Sequence, residues 1–107
     1  LLQAAYPGAR LVNYGHLGDG NLHYNVQAPA GADAEAFLRD DEKGVNALVY
    51  GRVDAYRGSI SAEHGIGSLK RDKLVEHKSP VALDMMRAIK RALDPDNRMN
   101  PGKMLQP

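Results

Sequence analysis

The stretch that most constrains this chain is Gly15-His16-Leu17-Gly18-Asp19-Gly20-Asn21-Leu22-His23-Tyr24-Asn25-Val26. An Asp-Gly pair flanked by alternating apolar residues is a strong short-range hairpin signal, because a two-residue type I′ loop needs positive φ at both positions. With Asp19 and Gly20 as that loop, Gly18 pairs with Asn21, Leu17 with Leu22 and His16 with His23. Directly opposed residues have β-carbons about 4.5–5.5 Å apart, so both imidazoles then reach one divalent ion. Asn25 shares the face of His23 by the period of two, while Leu22, Tyr24 and Val26 point the other way, toward a core. The reading depends on register. A one-residue slip sends a side chain to the opposite face, and a lone strand histidine is ordinarily structural or simply exposed.

At 107 residues the chain has room for about one small domain. It contains no cysteine, which excludes disulfides and thiolate metal sites and leaves His, Asp and Glu as the strong ligand types. Lys plus Arg number 14 against 13 Asp plus Glu, so a net charge of +1 provides no electrostatic case for nucleic acid or an anionic membrane. No apolar run approaches the ~20 residues of a membrane span, and no signal peptide opens the chain. A cytoplasmic protein is the expectation. Because Leu1 stands where a start methionine would, and inside a helical pattern, a piece of a longer protein is expected.

Tyr6-Pro7-Gly8 should stop a helix that ends near Ala5. Leu11 to Tyr14 is β-prone and leads into the first arm of the hairpin, and Leu22 to Gln27 forms the second. Asp33 can cap a helix running to about Arg57, with Val45, Leu48, Val49, Val53 and Tyr56 on one face and a break near Gly44. Gly58-Ser59-Ile60-Ser61-Ala62-Glu63-His64-Gly65-Ile66-Gly67 is the second chemical stretch. Adjacent residues in extended backbone point apart, so one of Glu63 and His64 can complete a metal site while the other faces a substrate. A surface loop with a helix cap is the plain alternative. Ser68 to Leu74 reads as a solvated helical turn. Ser79-Pro80 starts a further helix whose buried stripe is Ala82, Met86, Ile89 and Leu93, with Arg87, Lys90 and Arg91 facing solvent or a partner. Asp94-Pro95 ends it, and Asn100-Pro101-Gly102-Lys103 forms a turn.

Three blocks together resemble the C-terminal region of FAD-linked oxidases of the vanillyl-alcohol oxidase type, and within them the D-2-hydroxyacid dehydrogenases, such as D-lactate dehydrogenases, the glycolate oxidase D-subunit and D-2-hydroxyglutarate dehydrogenase. They are Gly15 to His23, Ser61 to Gly67 with Lys70 and Arg71, and Met86 to Lys90 continuing through Asp94-Pro95 to Lys103. The resemblance implies an α+β fold, part of a ferredoxin-like cap domain with an antiparallel hairpin plus helices, followed by a C-terminal helical segment. It divides the chain into a cap-domain part with the metal hairpin, 1–57, and an active-site loop with the helical segment, 58–107. The FAD-binding domain of the same protein is then absent, this chain alone should be inactive, and its uncovered apolar surface would favour self-association as a homodimer.

The resemblance further implies that His16, His23 and Glu63 hold a divalent metal, usually zinc, that His64 is the general base, that Asn25 positions the substrate, and that Asn100 lies near the flavin. Two imidazoles and a carboxylate form a common catalytic zinc set with positions left for substrate. Such a metal orients a small 2-hydroxy acid and lowers its hydroxyl pKa, and an imidazole can accept that proton as hydride leaves C2 for FAD. A stand-alone metal-binding or interaction module without redox chemistry remains an alternative, as does a metal-dependent hydrolase using a bound water.

Overall fold

A computed structural model describes residues 1–106 of the chain. Pro107, the end of the expected second segment, lies outside the described residues. The elements are helix α1 (Leu2–Ala5), strand β1 (Arg10–His16), a 3₁₀ turn (Leu17–Asp19), strand β2 (Asn21–Gln27) and helices α2 (Ala34–Ala55), α3 (Arg71–His77) and α4 (Pro80–Leu93). The fold is α+β, an antiparallel hairpin with helices. The chain separates into two compact units, Leu1–Ala62 and a second that begins at Glu63.

In the first unit the Asp33 carboxylate caps α2, accepting from the backbone N–H of Glu35 at 3.0 Å and of Ala36 at 3.4 Å. The helix then runs unbroken through Gly44, contrary to the expected interruption. Tertiary contact explains the difference. The Tyr6 hydroxyl lies so close to Gly44 that a β-carbon there would collide with it. Glycine is therefore the residue that lets the α1 end pack on α2, and the packing offsets a propensity cost of ~1 kcal/mol. Tyr6 also meets Phe37 edge to face, with ring centres 6.4 Å apart. Helix α2 closes in a Schellman arrangement: Gly58 N–H donates to Val53 O at 2.8 Å and Arg57 N–H to Asp54 O at 2.9 Å. Arg57 itself takes the left-handed conformation, φ 54°.

The core is thin. Leu2, Ala9, Ala28 and Val45 are buried in the first unit, and Leu74 and Leu83 in the second. The apolar face of β2, expected to point into a core, is instead largely open: Leu22 is 60% and Tyr24 38% exposed. The alternation is as the pleat requires, but the first unit supplies no layer to cover that face.

Helix α4 shows the same mismatch. Ser79 caps it as expected, its hydroxyl accepting from Ala82 N–H at 3.2 Å with Pro80 in the first turn. Only the first half of the expected stripe packs: Ala82 and Met86 are half-buried while Ile89 is 57% and Leu93 74% exposed, and Leu83, outside the stripe, is buried. Leu83, Arg87 and Lys90 lie about 100° around the helix from that stripe. Lys90, expected to face solvent or a partner, serves a buried carboxylate: its ammonium pairs with Asp94 and donates to Met99 O at 2.6 Å. A buried carboxylate needs such partners. No helix among the described residues is long and apolar enough to cross a membrane.

Candidate functional site

The hairpin joins its strands by a longer loop than the Asp-Gly pair suggests. Leu17–Asp19 form a 3₁₀ turn, and Gly20 follows at φ 63° with its N–H donating to Leu17 O at 3.2 Å. Positive φ is needed at Gly20 alone, so Asp19 escapes the steric cost that a type I′ turn would impose on it. The register accordingly moves by two: His16 pairs with Asn21, Gly15 with Leu22, Tyr14 with His23 and Val12 with Asn25. Gly15 makes this possible, because a β-carbon there would run into the Asn21 carbonyl. The expected direct pairing of His16 with His23 is thus corrected to a diagonal one.

A shift of two keeps every side chain on its face. His16, His23 and Asn25 therefore still share one face of the ladder, with Tyr14 and Val12 among them. The rings of His16 and His23 are 6.3 Å apart at 60° to one another. At that spacing, with metal–nitrogen bonds of about 2.0–2.1 Å, one ion between the rings is within reach of a nitrogen of each. In a chain without cysteine, the available donors are nitrogen and oxygen, which suits zinc and its divalent neighbours. Tyr14 lies flat on His23, ring centres 4.8 Å apart and planes within 5° of parallel. Asn25 donates through Nδ2 to Val12 O at 3.1 Å, which fixes its amide and leaves its carbonyl oxygen as an acceptor on the same face.

Glu63 and His64 open the second unit, both exposed, on an irregular segment. Gly65 and Gly67 follow at φ 71° and 58°, values that a residue with a side chain reaches only at a cost. The segment is tied to the chain's far end, since Met104 N–H donates to Gly67 O at 2.6 Å and Arg71 Nη1 to Gly102 O at 3.1 Å. Asn100 stands in the turn so anchored, at φ 49°, with its carbonyl accepting from Lys103 N–H at 3.2 Å. That conformation is itself a reason for asparagine there.

Asp94, read from sequence only as a helix stop, organises the neighbouring loop. Its carboxylate pairs with Lys90 and accepts from Arg98 N–H at 2.8 Å and Met99 N–H at 2.9 Å. The hydrogen bond from Lys90 holds its pKa below the ordinary 3.8, against the opposing effect of burial and with help from the two backbone N–H groups. Sequence reasoning also missed Tyr14 and Gly15. Tyr14 sits two residues before His16, so the period of two was the available signal; nothing local marks Gly15 as a point of close approach.

The chain matches the family model for the C-terminal domain of FAD linked oxidases over residues 2–104. It is 46% identical over 99 residues to D-2-hydroxyglutarate dehydrogenase of Stutzerimonas stutzeri, covering 92% of this chain and 21% of that protein. Against the protein of that name from Xanthomonas citri the identity is 42%, over 99% of this chain and 22% of the relative. Against the mitochondrial D-2-hydroxyglutarate dehydrogenase of Bos taurus it is 47%, over 92% and 17%. The chain thus spans about a fifth of the length of the curated relatives it matches.

Proposed function

The chain belongs to the family of FAD-linked oxidase C-terminal domains, and from that membership we propose that it serves a flavin-dependent, metal-assisted oxidation of a D-2-hydroxy acid to a 2-keto acid. The observation that carries this reading is the pair of imidazoles, His16 and His23, held on one face of a hairpin at 6.3 Å. The names of the relatives support D-2-hydroxyglutarate as the first substrate to test.

In this reading His16, His23 and Glu63 hold a divalent ion, with zinc the choice that the donor set favours. When bound, the ion orients the hydroxyl and carboxylate of the substrate and lowers the hydroxyl pKa, while FAD, bound mainly by a domain outside these residues, accepts hydride from C2. His64 takes the hydroxyl proton at a ring nitrogen, the role of general base that an imidazole fills most often. Asn25 accepts a hydrogen bond from the substrate through its side-chain carbonyl oxygen, and Asn100 contacts the flavin.

The test uses the full-length protein with an artificial electron acceptor. D-2-hydroxyglutarate should be oxidised, and chelation should abolish the reaction until zinc is restored. His64→Gln should lower kcat by about 100-fold or more while metal content stays stoichiometric, whereas His16→Ala should lose both. Full activity after complete chelation, or in His64→Gln, overturns the reading.

A further inference from the structure

Tyr14 is the direct ladder partner of His23, and its ring lies parallel to the imidazole at 4.8 Å. His16 approaches the same imidazole edgewise, at 60°. Tyr14 is 61% exposed, so its ring fills no core, and it lies against the imidazole of His23. A histidine on a strand otherwise turns about two side-chain torsions, and the second is broad rather than confined to sharp wells. A parallel aromatic neighbour removes that freedom, since the imidazole can rotate out of plane only by leaving the stack.

We propose that Tyr14 is a positioning residue for a metal centre: its ring holds the His23 imidazole in a fixed plane, so that the nitrogen facing His16 is already oriented when the ion arrives. The inference rests on reading His16 and His23 as metal ligands. It assigns the effect to the aromatic face and none to the hydroxyl. Groups that orient a metal-bound histidine ordinarily act through a hydrogen bond to its other nitrogen; a stacked ring adds a separate constraint, on the plane of the imidazole.

The experiment compares the full-length protein with its Tyr14→Phe, Tyr14→Leu, Val12→Ala and His23→Ala variants, measuring zinc affinity by competition with a chromophoric chelator and the His23 ring protons by NMR with histidine-selective labelling. Val12 shares the face and strand of Tyr14 two pairs further from the turn, so Val12→Ala reports general weakening of the ladder. Tyr14→Phe should bind zinc like the unaltered chain and keep the upfield ring-current shift of the His23 protons. Tyr14→Leu should lose that shift and bind about fivefold more weakly, as expected for one aromatic stack. Val12→Ala should change neither. Equal zinc affinity in Tyr14→Leu, alongside lost binding in His23→Ala, overturns the positioning role and leaves the ligand assignment standing. Tyr14→Leu and Val12→Ala weakened alike would also overturn it. A full-length protein that takes up no zinc overturns the ligand assignment, and the positioning role with it.

Discussion

The hairpin and the segment around Glu63 and His64 carry the two halves of the proposed chemistry in opposite ways. On the hairpin, side chains are placed by a ladder whose period of two assigns each to a face, so His16, His23 and Asn25 stay together even though the pairing differs by two from the one the turn residues suggest. Around Glu63 no ladder exists. Placement there depends on two glycines at positive φ and on bonds to residues some 30 to 40 positions away, Arg71 to Gly102 and Gly67 to Met104. A ladder tolerates an error in register of even length, whereas a loop inherits every displacement of its anchors.

The sharpest way to break that contrast is to attack the ladder at its point of closest approach. Gly15→Val places a side chain against the Asn21 carbonyl and should destabilise the first unit by about 2–3 kcal/mol, read by thermal denaturation, with loss of the Tyr14–His23 ring-current shift. Retention of both would show that the strands can part there without losing register.

On the loop side the comparable anchor is Asp94. Its folded pKa lies below the ordinary value, so the folded state prefers the charged form more than the unfolded state does. Its stabilising effect is therefore full above pH 3.8 and is lost as pH falls through the lower, folded value. Asp94→Asn should lower the melting temperature at neutral pH and flatten the decline of stability at acid pH, measured as melting temperature against pH. Parallel curves for variant and parent would remove Asp94 from its anchoring role.

The smallest effect is expected where a loop begins. Arg57 occupies the left-handed position of the α2 cap that usually belongs to glycine, so Arg57→Gly should stabilise the chain by about 0.5 kcal/mol in urea denaturation. A loss of stability would instead show that the arginine side chain has a role that outweighs its backbone cost.

Much of the local structure was legible. Asp33 and Ser79 cap the helices predicted for them, and the stop after Ala5 lies where Tyr6-Pro7-Gly8 puts it. These signals succeed because cap and turn preferences act within a few residues of the chain. The break predicted at Gly44 failed because helix propensity is worth at most ~1 kcal/mol and Tyr6, remote in sequence, packs against that glycine. The stripe predicted for α4 packs only at Ala82 and Met86, because amphipathic spacing identifies an apolar face without saying that the chain supplies a layer to cover all of it.

The sequence by itself determined the existence of the hairpin, the common face of His16, His23 and Asn25, and the helix starts, because alternation and capping are properties of neighbouring residues. It also carried the resemblance, in residues spread from Gly15 to Lys103, that the match to the FAD-linked oxidase family then established. Only the tertiary structure decided the four-residue loop and its register, the continuity of α2, the side of α4 that packs, and the stacking of Tyr14 on His23. Each of these is settled by atoms brought together from separate parts of the chain. Contacts of that kind are worth as much as the local preferences they override, and neighbouring residues alone do not encode them.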